Sequence, residues 1–383
     1  MNNKIKIAAI VILALVAGKT FSQGESAVPF LLIGPNSHNA GMGETGAGLV
    51  NDASAMFWNP SGLAFQKGTE VTITHSPWLP GLNLGDLFYD YLSAKHYVKK
   101  LNGTIGVSIT YLNIGTIITT NEFGVETGKY QAFDGALALG YGTKVTKDLG
   151  VGGVIRFIYS KLAVGRVGNE QGSGKAYSLS FDISTLWKPT KTKIKFIDNH
   201  LGIGLNFSNL GPKVTYIDDK QADPLPTLLR LGFAYDIYKS EFNNLTMTAD
   251  FAKLIVKRRE GGVSDPLYKA IGSAWSGGIG NVMKSIQSSV GAEYWYGNPK
   301  LIGLRGGFFY EDPDRGRRKF LTLGAGIRYS MYGFDFSYIN TIEENHPLAN
   351  TLRFTLSIRL GETGTKKKPD EKKVEEKKPE EKK

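Results

Sequence analysis

The sequence predicts an all-β protein: a 14-stranded antiparallel transmembrane β-barrel with an N-terminal hatch inside its lumen. Three observations lead to this prediction. The chain begins with an export signal, residues 68–360 alternate between apolar and polar or small residues, and the connections between the alternating runs are short and long in turn. Outer-membrane barrels have this pattern, with an even number of strands, short periplasmic turns and longer extracellular loops.

Residues 1–22 have the composition of a secretory signal peptide. Two lysines precede the apolar run Ile7–Ala17, and the small residues Thr20 and Ser22 stand at −3 and −1 of a cleavage site before Gln23. No later segment reaches about 18 continuous apolar residues, so no spanning helix is expected. The absence of cysteine excludes disulfides and thiolate metal sites.

The strand prediction rests on a period of two along residues 68–360. Apolar residues occupy every second position of each run, and Gly, Ser, Thr, Asn or charged residues occupy the others. A soluble sandwich or propeller would also alternate, but it should have shorter strands and a polar outer face. The fourteen runs begin near Thr69, Tyr89, Gly103, Lys129, Leu149, Lys175, Ile194, Thr227, Leu245, Ser285, Pro299, Arg318, Tyr332 and Leu348.

The connections between runs predict the orientation of the barrel. Tight turns follow the even-numbered runs, and longer loops follow most odd-numbered ones, including "GTIITTNEFGVETG" and residues 253–284. We therefore expect a multi-pass outer-membrane barrel with extracellular long loops and both termini in the periplasm. Residues 361–383 alternate Lys and Glu with prolines and are expected to be disordered. They would be either a tether towards periplasmic partners or peptidoglycan, or an inert solubilising tail.

Between the signal peptide and the first strand lies a glycine-rich segment, residues 23–67, that is too short to fold alone. Gly41, Gly43 and Gly46 spell G-x-G-x-x-G, but no strand precedes them and no βαβ unit follows, so a dinucleotide site is not expected. Glycines suit a backbone that passes closely along a barrel wall. We therefore predict that this segment is a hatch inside the lumen.

A short helix in the predicted hatch should break at Asn59-Pro60. Asp52 is a suitable N-cap for a helix over Ala53–Trp58, and an asparagine before proline disfavours its continuation. A type I turn through Gly62 should follow. The residues expected to hold the hatch are Trp58, Asn59, Pro60 and Gly62.

The polar face of the strands carries both acids and arginines, which would point into the lumen. Arginine suits bidentate pairing with carboxylates, so these residues either neutralise each other and brace the lumen or form a polar slot for a peptide end. The lumen charges predicted in this way are Asp134, Arg156, Asp182, Arg230, Glu293, Arg305, Arg328, Asp335 and Arg353, together with Asp236, Asp250 and Arg359.

The sequence contains no recognisable catalytic constellation. No two of the five histidines have metal-ligand spacing, and there is no G-x-S-x-G elbow or defensible carboxylate pair. We therefore expect no enzyme, no cofactor and no metal.

The net charge of +11 does not indicate nucleic acid, because an exported protein has little access to it. Outer-membrane lipids and lipopolysaccharide phosphates are more suitable counter-charges.

The stretch "GMGETGAGLVNDASAMFWNPSGLAF" resembles the N-terminal hatch of FadL-type outer-membrane proteins, with its helix followed by Asn-Pro-Ala/Ser-Gly. Further segments resemble the PorV/PorQ family of the Bacteroidetes type IX secretion system, and two of them, "EYWY" and "GRRKFLTLGAGIRY", are similar to the PorV branch. The resemblance spans roughly residues 28–358. The Lys/Glu tail departs from it, and residues 270–284 follow it only loosely.

This resemblance implies an outer-membrane shuttle or adaptor. Such proteins bind the C-terminal signal domain of cargo leaving a Sov/SprA-type translocon and deliver it to a PorU-type sortase attachment complex. The alternative is a FadL-like transporter of hydrophobic small molecules, which should line its lumen with apolar side chains rather than Gly, Ser and paired charges.

Partner contact is expected at the long-loop rim, above all at residues 253–284 and 312–318. These loops carry large apolar side chains that have no core of their own to enter, which is typical of an interface. The alternative is a loop that folds inward and caps the barrel mouth. The residues expected to bind translocon or cargo are Ile271, Trp275, Ile279, Met283 and Arg315.

Overall fold

The computed structural model describes residues 26–82, 85–121, 123–163, 173–216, 221–259, 263–344 and 346–361. The predicted signal peptide, the start of the predicted hatch and the tail beyond Gly361 lie outside these residues. None of the helices in the described part is long and apolar enough to cross a membrane.

The described residues form fourteen antiparallel strands in one closed barrel, which confirms the predicted barrel. Each strand pairs with its neighbours in sequence, and β1 closes the barrel against β14, with Val71 opposite Ile358. The strands are β1 Thr69–Pro77, β2 Phe88–Val98, β3 Gly103–Thr120, β4 Glu126–Lys144, β5 Leu149–Lys161, β6 Lys175–Trp187, β7 Leu201–Leu210, β8 Leu228–Lys239, β9 Asn243–Leu254, β10 Ile286–Tyr296, β11 Ile302–Tyr310, β12 Lys319–Tyr329, β13 Tyr332–Thr341 and β14 Thr351–Leu360.

The two faces of the barrel wall differ as the alternation predicts. Along β6, Ser180, Asp182 and Ser184 are buried inside, whereas Ile183 is 59% exposed on the outside. Apolar side chains on other strands, such as Leu139 and Leu323, face outward in the same way. A closed barrel pairs its backbone groups between strands, so an apolar outer face suits contact with lipid.

Three predicted boundaries are wrong. The seventh run was expected near Ile194, but residues Lys195–Ile197 form a 3₁₀ helix in the turn and β7 starts at Leu201. The loop "GTIITTNEFGVETG" is largely an extension of the β3–β4 hairpin beyond the neighbouring strands. Leu348 lies before β14 and packs inward beside Phe320. Alternation alone therefore does not show where strand pairing begins or ends, because it continues into turns and is interrupted within paired strands.

Short helices lie in the N-terminal segment, which we define as residues 26–67, and in the loops. The α-helices are α1 Ser37–Ala40 and α2 Ala55–Trp58 in the N-terminal segment, and α3 Leu267–Ser273 and α4 Gly278–Lys284 between β9 and β10. The 3₁₀ helices are Pro29–Leu32, Pro60–Phe65, Pro80–Leu82, Lys99–Leu101 and Lys195–Ile197.

The N-terminal segment runs through the barrel from the long-loop end to the short-turn end. The Ala27 backbone N–H donates to the Pro224 carbonyl in the long β7–β8 loop, at 2.9 Å. Phe65 at the other end leads into β1. The first described residues therefore lie at the long-loop rim, and β14 ends at the short-turn rim. The reason is the burial of Phe30 and Leu31 in an apolar cluster near the long loops.

Candidate functional site

The glycine-rich part of the N-terminal segment lies directly against the barrel wall. Gly43 has φ of +69°, and a Cβ atom there would stand 2.7 Å from the Phe308 nitrogen and from the Val290 oxygen. A Cβ atom on Gly41 would stand 3.0 Å from the Gly324 Cα. Gly46 differs, because its neighbour is the Trp58 ring rather than the wall. The first two glycines are therefore required by close backbone approach, as the sequence predicts.

The predicted hatch residues form one buried cluster. The Trp58 side chain is 1% exposed, and its indole N–H donates to Asn36 Oδ1 at 2.9 Å. The Asn59 amide donates to the Ala47 carbonyl at 2.8 Å and to the Thr185 carbonyl of β6 at 3.1 Å. Asn59 thus ties two parts of the N-terminal segment to the wall.

The turn after Asn59 continues as a 3₁₀ helix over Pro60–Phe65 instead of ending after one turn. Its first hydrogen bond joins the Gly62 N–H to the Asn59 carbonyl at 2.9 Å, as in the predicted type I turn. Pro60 stands at the first position of this helix, where its missing N–H costs no hydrogen bond.

Asp52 does not cap a helix over Ala53–Trp58 as predicted. The helix starts at Ala55, and the Asp52 carboxylate accepts a hydrogen bond from the Ser54 backbone N–H at 2.9 Å. The same carboxylate lies 3.1 Å from His38 Nδ1. Asp52 therefore joins a charge network that the sequence analysis did not foresee.

His38 lies between two carboxylates, one from the N-terminal segment and one from the wall. Its Nδ1 contacts Asp52 and its Nε2 lies 2.5 Å from Glu293 Oε2 on β10. A neutral imidazole has one N–H donor, so only the protonated ring can donate to both carboxylates when these are ionised. In that state His38 is an ionic link between the N-terminal segment and β10.

Glu293 also belongs to a buried chain of arginines and carboxylates on the wall. Arg305 Nε donates to Glu293 at 2.7 Å, and its Nη1 donates to Asp335 at 2.9 Å. Arg328 donates to the other oxygen of Asp335 at 2.7 Å. Such pairs are held by multiple charge-assisted hydrogen bonds, and removing one member leaves an uncompensated buried charge.

Two more predicted arginines have defined carboxylate partners. Arg156 on β5 holds Asp182 on β6 through two hydrogen bonds of 3.1 Å and 2.8 Å. Arg353 on β14 reaches Glu44 of the N-terminal segment, with both Nη atoms 3.3 Å from one carboxylate oxygen. The first pair braces the wall, and the second joins the wall to the segment.

Arg230 and Asp250 hold the middle of the N-terminal segment. Asp250 accepts hydrogen bonds from the backbone N–H groups of Gly46 and Ala47, at 2.9 Å and 3.0 Å, and lies 3.4 Å from Arg230. The Arg230 guanidinium also lies over the Trp58 ring, 4.9 Å from its centroid. Asp250 therefore holds the backbone of the N-terminal segment, and Arg230 contacts its tryptophan.

The remaining predicted lumen acids have no arginine partner among the described residues. Asp134 accepts a short hydrogen bond from the Ser160 hydroxyl. Asp236, near the short-turn rim, accepts from the Thr246 hydroxyl at 2.8 Å and lies 3.6 Å from Lys239.

Sequence reasoning missed several members of the network. Glu70 on β1 lies 2.9 Å from Arg359 and 3.7 Å from Lys95. Its place on the same face of β1 as the inward-facing Thr72 and Thr74 was the signal that could have found it. His38 and Glu44 offered no periodic signal, because they lie outside the strands. Among the described residues, no three His, Asp or Glu side chains are arranged to hold a metal ion.

The sequence predicts a lumen lined by Gly, Ser and paired charges. The structure also contains apolar residues there. An apolar cluster near the long-loop end joins Phe30 and Leu31 of the N-terminal segment to Tyr89, Tyr91 and Leu225. The cavities beside this cluster and beside His38 have volumes of about 10 Å³ each. A space of this size corresponds to about one water molecule. The N-terminal segment thus fills these parts of the lumen.

The loop between β9 and β10 presents large apolar side chains at the long-loop rim. Ala270 and Ala274 are buried against Ile255, which anchors the loop. In contrast, Trp275 is 43% exposed and Ile279 is 85% exposed. Three further side chains of α3 and α4 are exposed, namely Tyr268, Ile271 and Met283.

An exposed ion pair connects this loop to the β11–β12 loop. Lys284 at the end of α4 lies 2.8 Å from Asp314. The hydrogen bond and the charge of Lys284 lower the pKa of the Asp314 carboxyl. Arg315, the fifth predicted partner residue, follows and is half-buried. The structure therefore brings together the two loops that the sequence analysis singled out.

A profile of the family described as Type IX secretion system protein PorV matches residues 21–260. The chain belongs to the PorV family. As a member with a closed 14-stranded barrel, it is an outer-membrane, multi-pass β-barrel protein of the type IX secretion system. No curated protein sequence matches the chain.

Solved structures with a similar fold are FadL-like barrels. The toluene transporter TbuX of Ralstonia pickettii has 14% sequence identity and a TM-score of 0.51, and the alignment covers 87% of this chain and 100% of TbuX. The CymD monoaromatic hydrocarbon channel has 13% identity and a TM-score of 0.51, with coverage of 86% and 98%. At such low sequence identity, the similarity shows a shared fold but does not show that the proteins bind the same ligands.

Proposed function

We propose that this PorV-family protein is a secretion adaptor. It binds the C-terminal signal domain of cargo leaving a Sov/SprA-type translocon and delivers it to a PorU-type attachment complex. The observation that carries the proposal is the apolar surface of α3 and α4, which stands on a barrel whose lumen is filled by the N-terminal segment near the long-loop end.

The anchoring of the loop supports an interface rather than a lid. Ala270 and Ala274 already occupy the buried face, so the outward side chains have no interior position left in this conformation. Lys253 Nζ lies 5.3 Å from the centroid of the Trp275 ring and holds its orientation. An oriented, half-exposed tryptophan beside other exposed apolar side chains is typical of a binding hot spot.

The test replaces the outward side chains and keeps the anchors. In the variant Trp275→Ala/Ile279→Ser/Met283→Ser, capture of a purified cargo C-terminal domain should fall by at least about tenfold, because hot-spot residues contribute most of an interface's affinity. The matched control is Phe123→Ser/Val125→Ser, which removes exposed apolar residues from the β3–β4 hairpin. Heat-modifiable migration on gels should show that both barrels are folded.

Undiminished capture by the α3–α4 variant, or an equal loss in the control, would refute this assignment. Deletion of residues 270–283 distinguishes an interface from a lid over the barrel mouth. A lid would leave cargo capture intact and make the barrel leaky, whereas an interface would lose capture with the membrane level unchanged.

Transport of hydrophobic small molecules is the second candidate function. The apolar cluster of Phe30, Tyr89 and Tyr91 and the FadL-like fold favour it. The cavities beside that cluster leave no room for such a ligand unless the N-terminal segment moves. Bound hydrocarbon or lipid in protein purified without added ligand would support transport.

A further inference from the structure

A cavity lies at the short-turn end of the barrel, at the opposite rim from α3 and α4. Its volume is about 330 Å³, at the lower end of the range for small-molecule sites. The N-terminal segment forms one side, and the β4–β5, β6–β7 and β8–β9 ends form the other. Its charged and aromatic lining consists of Phe65, Lys144, Lys147, Lys188, His200 and Lys239, with Asp236 as the one carboxylate.

Positive charge is concentrated around one aromatic ring in this cavity. Lys144 Nζ lies 4.6 Å and Lys188 Nζ lies 5.3 Å from the centroid of Phe65. Within the described residues, neither of these lysines nor Lys147 has a carboxylate at ion-pair distance, whereas Lys239 lies 3.6 Å from Asp236. Asp236 is thus already engaged, and three ammonium groups face the cavity without an anion.

Lys188 is the central member of the group. Its side chain is half-buried, just beyond the end of β6. Burial lowers the pKa of its ammonium group; the charge of Asp236 raises it, and that of Lys144 lowers it further. A lysine held in this way is stabilised in its charged form by an added anion.

We propose that this cavity binds a soluble molecule that carries a phosphate monoester. A phosphate monoester carries up to two negative charges near neutral pH and offers three acceptor oxygens, which matches several unpaired lysines better than a single carboxylate does. The Phe65 ring supplies an apolar surface for the rest of the ligand.

Approach from the aqueous periplasm fits the lining better than approach from lipid. Gly48, Gly202 and Ala234 line the cavity and face the interior, where a Cβ on Gly202 would meet the Gly48 backbone. Most of its lining residues lie in the turns, in the N-terminal segment or on the inward face of the strands, and Leu201, the first residue of β7, is the exception. A lipid headgroup would have to leave the bilayer to reach Phe65.

The test measures binding of glycerol 3-phosphate to the full chain in neutral detergent by calorimetry. Lys144→Gln/Lys188→Gln should weaken binding by about tenfold or more, because charge-assisted contacts are lost. Lys191→Gln/Lys193→Gln is the matched control: it removes the same charge from exposed positions of the same turn outside the cavity, and its affinity should stay within about twofold.

Several results would overturn the proposal. These are no binding of glycerol 3-phosphate by the unaltered protein, equal weakening in both double variants, or acetate binding as tightly as glycerol 3-phosphate. Binding only of phosphatidic acid in nanodiscs would show a lipid headgroup site instead of a soluble ligand. Unchanged heat-modifiable migration of both variants excludes misfolding as the cause of any loss.

Discussion

The N-terminal segment and the α3–α4 loop have similar composition but opposite surroundings. Each consists of short helices with glycine and one tryptophan. Trp58 is buried, donates a hydrogen bond to Asn36 and lies beneath Arg230. Trp275 is 43% exposed, and Lys253 lies 5.3 Å from the centroid of its ring. The same residue type therefore serves packing in one region and is available for partner contact in the other.

This difference predicts where substitutions reduce stability and where they reduce binding. Changes within the N-terminal segment and its wall contacts should destabilise the barrel or open its lumen. Changes to the outward residues of α3 and α4 should leave the barrel intact and weaken partner capture.

The largest effect on stability is expected for Arg305→Ala. This change leaves Glu293 and Asp335 buried without their shared partner, which costs about 3–5 kcal/mol of unfolding free energy. Denaturant unfolding in detergent measures the loss. Lys284→Ala removes an exposed ion pair and serves as the control, with unfolding close to that of the unaltered protein. Similar curves for both variants would contradict a structural role for the buried network.

Two glycine substitutions, one in the N-terminal segment and one in α4, should change stability less than Arg305→Ala but should differ from each other. Gly43→Ala should destabilise the protein by about 1–3 kcal/mol, because its φ is positive and the wall backbone lies 2.7 Å from the new methyl group. Gly280→Ala in α4 meets nothing within 4 Å, so it should be neutral or stabilise by up to about 1 kcal/mol. Equal effects at the two positions would mean that the segment does not pack as described.

Replacing Asn59-Pro60 by Ala-Ala should loosen the N-terminal segment without unfolding the barrel. The change removes the hydrogen bond from Asn59 to the Thr185 carbonyl and the preset backbone of Pro60, together costing about 1–3 kcal/mol. Ion conductance in planar bilayers should rise above that of the unaltered protein. Unchanged conductance would show that the segment is retained by its other contacts, such as Asp250 and Arg353.

The periodic part of the fold could be predicted from the sequence. Two-residue alternation places Asp182 inside and Ile183 outside without any knowledge of the neighbours. Arginine on the inward face predicted that carboxylate pairs would occur, and Arg156 with Asp182 is such a pair.

Other features depend on contacts between distant parts of the chain and leave no periodic signal. His38 meets Glu293 across 255 positions of sequence, so neither residue reveals the other. Leu348 alternates with its neighbours in the sequence, yet it packs inward because β14 begins only at Thr351. The inward position of Phe30 likewise depends on Leu225, which belongs to a loop.

The most direct test of the adaptor proposal is photocrosslinking in intact cells that secrete type IX cargo. A photoreactive amino acid replaces Ile279 on α4, which is 85% exposed, or Phe123 on the β3–β4 hairpin, which is 82% exposed and serves as the matched control. We predict an adduct with the translocon or with a cargo C-terminal domain from position 279 and a much weaker one from position 123. Adducts of equal yield from both positions, or none from position 279 while secretion proceeds, would contradict it.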